Sequence, residues 1–227
     1  LGFKKFAHER WNWDLDETQV RPATDVGVAV VEILRVFTNP GDLILINSPV
    51  YHNFYHWINE VKLNKVDVPL ERTGDENANP WEINWEGVEK AYASGIKVHL
   101  LCSPHNPLGR VYSKEELSKF VDLAVKHNVL IISNELHAPL TYKGITFTPI
   151  LSLGEKARSV SIVVTAASKG WNIAGLKCAM IVTQDAALFA RLNEMPPAVH
   201  WRTSLLGAFA TAVAFSDGGP WLDDVVA

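Results

Sequence analysis

The chain has little sulfur, no long apolar run and no strong charge of either sign, and each scarcity removes a class of function. Only two cysteines occur among 227 residues, too few for a small disulfide-stapled scaffold. Cys102 and Cys178 each sit beside an apolar, strand-like run and read as reduced, buried thiols in a cytoplasmic protein. The formal net charge is −4, so the overall field gives no reason to expect nucleic acid or an anionic membrane as a partner. No apolar stretch reaches the roughly 20 residues that cross a bilayer. Neither a phosphate-cradling glycine loop nor a dinucleotide fingerprint is present. His52 and His56 are spaced to share a helix face, but no third ligand follows at useful spacing, so no metal is expected. The opening Leu1-Gly2-Phe3-Lys4-Lys5 has no signal-peptide layout. It also lacks an initiator methionine, and the chain is expected to begin inside a longer gene product.

What is present is ordinary globular material, 48% apolar and 20% charged, enough for a substantial core. Strand-like and helix-like segments alternate. Thr24-Asp25 caps a helix in which Val26, Val30, Ile33, Leu34 and Phe37 recur at helical spacing. Leu43–Ile46, Val98–Cys102, Val129–Ile132, Val160–Val164 and Ala179–Val182 read as short buried strands. Lys65–Leu70 alternates, and its proline puts it at a sheet edge or strand end. Residues 71–80 read as a polar surface loop. Ser113-Lys114-Glu115-Glu116 matches a capping box and opens a helix to about His127. Residues up to Gln19 show no clean period, and a last amphipathic helix is expected over about Thr203 to Phe215. Continuous apolar strands alternating with helices predict an α/β fold with a sheet covered on both faces.

Lys169 follows the strand-like run Ser161-Ile162-Val163-Val164 in a turn of small residues, and Lys177 comes eight residues later. A lysine held at a strand end suits a Schiff base to an aldehyde cofactor, and a second cation suits a phosphate. Taken alone, such a lysine reads as a solvated surface residue in roughly nine cases of ten, because lysine is rarely buried unpaired. Ligands of open α/β sheets gather at the carboxyl ends of the strands, and Tyr51, Asn106, Asn134 to His137 and Lys169 all fall there.

Four segments, in order along the chain, carry a resemblance: Ser48-Pro49-Val50-Tyr51, Ser103-Pro104-His105-Asn106-Pro107-Leu108-Gly109-Arg110, Ser133-Asn134-Glu135-Leu136-His137 and Ser168-Lys169-Gly170-Trp171-Asn172-Ile173-Ala174-Gly175-Leu176. The chain resembles the pyridoxal-phosphate (PLP) enzymes of aminotransferase class I/II, and within them the cystathionine β-lyase-like C–S lyases of the MalY/PatB type. The resemblance implies a three-layer α/β/α large domain with a mostly parallel mixed sheet, over residues 1–215, its N-terminal part incomplete. Residues 216–227 would open a helix leading to a smaller C-terminal domain that this chain does not contain. It also implies pyridoxal 5'-phosphate as cofactor, a small amino-acid substrate, a homodimer and a cytoplasmic location, with neither nucleic acid nor membrane as partner.

By the same resemblance Lys169 is the cofactor-bound amine and moves the α-proton, and Asn106 donates to the ring's phenolic oxygen. Asn106-Pro107 reads also as a plain turn. Tyr51 is the ring that stacks on the pyridine, or simply a core tyrosine. Thr24 and Asp25 open a helix whose N–H groups suit a phosphate, or act only as an N-cap. Ser168 and Lys177 add phosphate contacts. His137 favours the lyase branch over the aminotransferases, where tyrosine is common. Asn134 departs from the pattern. Relatives carry an aspartate there, whose charge keeps the pyridine nitrogen protonated. Three readings follow: an altered or slower activity, an engineered or erroneous residue, or a relative that no longer catalyses.

Overall fold

The computed structural model describes residues 2–73 and 80–227. Residues 74–79, in the expected polar loop, lie outside the described residues. The elements run α1 (Gly2–Trp11), β1 (Val20–Ala23), α2 (Val26–Phe37), β2 (Leu43–Ile46), α3 (Asn53–Glu60) and β3 (Asn64–Asp67). A two-residue ribbon follows, β4 (Glu71–Arg72) with β5 (Trp81–Glu82), then α4 (Trp85–Ala93), β6 (Val98–Cys102), α5 (Lys114–His127) and β7 (Leu130–Asn134). Next come α6 (Glu155–Val160), β8 (Ser161–Thr165), β9 (Ala179–Val182), α7 (Ala186–Arg191), α8 (Ala198–Trp201), α9 (Leu205–Asp217) and α10 (Gly219–Val225).

Seven strands form one sheet in the order β1-β9-β8-β7-β6-β2-β3. The five from β3 to β8 are parallel, β9 runs antiparallel to β8, and β1 antiparallel to β9. Side chains alternate across a strand, so the sheet feeds two cores. Leu45, Leu101, Ile131 and Val163 pack with α1, α4 and α5 on one face. Ile44, Ile46, Leu100, Ile132 and Val164 pack with α2 and α3 on the other. This is the α/β, three-layer, mostly parallel arrangement expected, and it explains why the central strands are continuously apolar.

Local signals set several boundaries. Asp25 caps α2, its carboxylate accepting from the Val28 N–H at 2.9 Å. Ser113 and Glu116 form the full capping box of α5. β3 ends at Asp67 and lies at the sheet edge, with Pro69 beyond it.

Three segments differ from expectation. The stretch before Gln19 contains α1, whose buried Phe3 and Phe6 meet Phe215 of α9 edge-on at 5.0 and 5.3 Å. Its order comes from a partner about two hundred residues away, not from a local period. β1 includes Pro22 and shows no alternation, which an edge strand tolerates. The last helix is not amphipathic. α9 is apolar around its whole circumference: Gly207, Thr211, Ala214 and Phe215 are buried, while Leu205, Leu206, Phe209 and Val213 are exposed. Small residues face inward because the helix lies close to its neighbours. A Cβ at Gly207 would stand 2.1 Å from the Leu176 carbonyl oxygen and 3.1 Å from the Cys178 Cβ.

Among the described residues no helix is long and apolar enough to cross a membrane. Gly207→Ala is expected to destabilise the fold by about 1–3 kcal/mol, the usual range for overpacking. Gly175→Ala has nothing within 4 Å of the added carbon and should leave the melting temperature nearly unchanged. Thermal denaturation of the two variants checks the contrast.

Candidate active site

Parallel registry places Cys102 of β6 opposite Asn134 of β7, and Asn134 opposite Val164 of β8. The carboxyl ends of three adjacent strands therefore open on one spot. A cavity of about 340 Å³ lies there. It brings together Asp25, Tyr51, Asn106, Asn134, His137, Ser168, Lys169 and Lys177, eight of the nine residues singled out from the sequence. Thr24 is half-buried beside the α2 cap and is not in the lining.

Lys169 stands three residues beyond the buried Thr165-Ala166 at the end of β8, and its ammonium has no hydrogen-bond or carboxylate partner among the described residues. Burial, and secondly the charge of Lys169, hold the His137 imidazole below its ordinary value of 6.5. That coupling links two side chains from successive strand ends. A free amine in a cavity with a neutral imidazole beside it can capture a carbonyl and move a proton.

The Tyr51 ring is locked from several directions. Its hydroxyl accepts from Asn53 Nδ2 at 2.7 Å, and its edge meets Phe54 and Trp57 at 6.5 and 6.1 Å. Asn53 and Trp57 line the same cavity and were missed by the sequence reading. Their spacing of four, which puts both on one face of α3, was the available signal. The loop holding Asn106 is tied to the loop holding Tyr51 through His105. Its Nε2–H donates to the Pro49 carbonyl at 2.9 Å, and Nδ1 accepts from the Tyr112 hydroxyl at 2.9 Å. Burial first of all pushes the His105 pKa down, so the ring is neutral. Cys102 also lines the cavity. Its thiol donates to the Pro104 carbonyl at 3.5 Å and accepts from the Asn106 N–H at 3.3 Å, and burial pushes its pKa up to about 12. It is therefore an unreactive packing group.

One end of the cavity is suited to an anion. The N–H groups of Val26 and Gly27 open α2 there, and Lys177 stands opposite. Lys177 Nζ pairs with Asp25 Oδ2 at 3.2 Å, both side chains being well exposed. The same carboxylate therefore caps the helix and holds the cation, so an anion entering must share Lys177 with it.

Asn134 is 5% exposed. Its Oδ1 accepts from the Leu136 N–H at 3.2 Å. The adjacent Glu135 points elsewhere: its Oε1 accepts from Ser133 Oγ at 3.0 Å and from the Ile150 N–H at 3.1 Å. Burial raises its pKa from 4.5 to about 8, against the pull of those two hydrogen bonds. Among the described residues no group of three or more His, Cys, Asp or Glu is gathered that could hold a metal ion.

A strand-end cavity with an unpaired lysine, an anion-suited helix start and a fixed aromatic is chemically suited to a cofactor of the lysine Schiff-base class. The chain belongs to the aminotransferase class I and II family, whose model matches residues 4–223. It is 34% identical to the cystathionine β-lyase PatB of Bacillus subtilis over 96% of this chain and 56% of that protein. It is 32% identical to the cystathionine β-lyase of Corynebacterium glutamicum over 97% of this chain and 57% of that protein. Among solved structures, cystalysin from Treponema denticola, which contains pyridoxal 5'-phosphate, superimposes with a TM-score of 0.90 at 30% identity. That match covers 99% of this chain and 57% of the other. The chain thus spans just over half the length of the relatives it matches.

Glu135 generates a pH prediction. Its raised pKa means that the native state keeps a proton the unfolded chain releases above pH 4.5. Its contribution is therefore full below pH 4.5 and is lost as the pH rises toward 8. Glu135→Gln keeps the acceptor oxygen and removes the titration. The variant should match the parent at pH 4 to 5 and exceed it at neutral pH by on the order of 3 kcal/mol. Denaturant unfolding across that range provides the check.

Proposed function

We propose that this chain is the cofactor-binding large domain, residues 1–215, of a PLP-dependent C–S β-lyase acting on a sulfur-containing amino acid. The observation that carries the reading is the unpaired Lys169 amine in one cavity with Tyr51, Asn106, Asn134 and the anion-suited start of α2. The lining fits PLP on this chain's own terms. It offers a free amine for an aldehyde, two backbone N–H groups and Lys177 for a phosphate, and an amide with unused hydrogens at its buried floor.

When bound, the cofactor supplies an aldehyde for covalent capture and a ring that withdraws electrons from the substrate's α-carbon. Lys169 would hold it, and its amine, when free, would accept the α-proton. Tyr51, fixed by Asn53 and Trp57, would pack against the ring. The Asn106 amide would donate to the ring oxygen. Ser168, Lys177 and the Val26 and Gly27 N–H groups would hold the phosphate, with Thr24 and Asp25 fixing the helix start that presents them. His137, whose neutral imidazole feels the Lys169 charge, would relay the proton taken up by that amine toward the departing sulfur. Overall, a thioether amino acid and water give a thiol, pyruvate and ammonia.

A second cavity of about 690 Å³ shares Asn106 and His137 with the first and is bordered by Leu108, Leu140, Tyr142 and Ile145. It offers room for the group on the far side of the sulfur. The reading includes a cytoplasmic homodimer. The exposed apolar face of α9, continued by Trp201 of α8, supports a second copy as its cover. Two free, buried thiols support a reducing compartment. Residues 216–227 lead on to a C-terminal domain supplying the rest of the site.

An aminotransferase using the same lysine is the second reading, supported by a 29% identical asparagine–oxo-acid transaminase of Streptococcus mutans. Asn134 supports a third, a PLP-binding protein with impaired catalysis. The full-length protein should show an absorbance band from lysine-bound PLP that Lys169→Ala abolishes. Incubated with a cysteine S-conjugate, it should release thiol and pyruvate without an added keto acid. Amino transfer that requires a keto acid would establish the second reading instead, and loaded enzyme without turnover the third.

A further inference from the structure

Among the described residues, Asn134 is the one deeply buried side chain of the cavity with hydrogen-bonding capacity left over. The orientation of its amide follows from its neighbour. The Leu136 N–H lies 3.2 Å from one side-chain atom of Asn134, and a backbone N–H can only donate. That atom is therefore the oxygen, and the NH₂ group is the other. Its hydrogens meet no acceptor among the described residues, although the residue is 5% exposed and lines the cavity. The NH₂ is not one of the sealed, unpartnered polar atoms of the described interior, so it opens on the cavity, where a ligand can accept from it.

No acid stands in for it. Among the described residues Asp25 is the only carboxylate in the lining, and it is committed to the α2 cap and to Lys177. Glu135 does not line the cavity, since its carboxyl is turned to Ser133 and Ile150. The other buried lining group, Cys102, already uses its hydrogen on the Pro104 carbonyl. In PLP the aldehyde and the ring nitrogen are para to each other. A ring held by Lys169 beyond β8 therefore turns its nitrogen away from that lysine. Asn134 closes the neighbouring strand β7, the deepest polar group there.

We propose that Asn134 donates a hydrogen bond to the unprotonated ring nitrogen, so that this protein holds its cofactor as a neutral pyridine. The inference rests on the reading of the cavity as a PLP site and says which protonation state that site selects. A donor stabilises the nitrogen lone pair and disfavours the pyridinium, whereas a carboxylate would do the reverse. Asn134 is thus a residue that tunes the cofactor through a hydrogen bond and touches none of the atoms that react.

The test uses the full-length protein loaded with PLP carrying ¹⁵N in its ring. Borohydride reduction and peptide mass spectrometry first report whether the label is attached at Lys169. Nuclear magnetic resonance then reports the ring nitrogen directly, without reference to turnover. The expected signal is that of hydrogen-bonded, unprotonated pyridine, constant through the neutral pH range. Asn134→Asp should move it to the pyridinium position. Asn134→Ala, which adds no charge, should move it the opposite way, toward pyridine without a donor. A pyridinium signal in the parent protein overturns the inference, as does a parent signal that Asn134→Ala leaves unmoved, while both leave the PLP reading intact. Absence of label at Lys169 overturns the PLP reading itself, and this inference with it. The parent signal decides the matter even where a variant fails to fold.

Discussion

The parallel pairing of β6, β7 and β8 is the constraint on which the rest depends. Three strands run in one direction with registers that align Cys102, Asn134 and Val164. Their side chains are largely buried on both faces, and polar groups that face the cavity come from just beyond the strand ends. Each following segment then starts from nearly the same place: the Asn106 loop, the His137 turn and the Lys169 turn. Chemistry-bearing residues more than sixty positions apart in sequence meet because backbone hydrogen bonds bring the three exits together.

Around those exits the interior avoids net charge. His99, fully buried between the Tyr92 hydroxyl and Asn47, has its pKa pushed down to about 3 by burial. His105 is held neutral between Pro49 and Tyr112, and Glu135 keeps its proton at neutral pH. The least exposed ion pair among the described residues, Arg110 with Glu116, is also tied to the Trp81 carbonyl and so satisfies itself locally. At the cavity, Lys169 has no partner among the described residues and the Lys177–Asp25 pair is well exposed. A low-dielectric wall behind them makes their fields count for more than on an open surface.

Much of this was legible in the sequence where a local rule governs. β2, β6 and β9 were anticipated to the residue, and α2 and α5 announced themselves by capping residues at Asp25 and Ser113. Lys169, Asn106 and Asn134 were legible as polar interruptions just after apolar runs, and registry brings them to one cavity. Elements held by distant partners were not legible. α1 has a narrow apolar stripe that becomes meaningful only against Phe215, and β1 carries a proline that hides it. Asn53 and Trp57 acquire a role only once α3 is laid beside the strand ends. Nor can a sequence say which way an amide faces, and at Asn134 that orientation separates a donor from an acceptor.

The missing side chain at Gly207 has one further consequence. Because the Leu176 carbonyl presses against that bare backbone, α9 and the turn bearing Lys177 share a contact with no slack. The outer side of the same helix is a bare strip of Leu205, Leu206, Phe209 and Val213. A side chain at Gly207 would therefore push on the Leu176–Lys177 backbone as well as on its own helix, so the outer apolar helix and the turn bearing the Asp25-paired cation must move together.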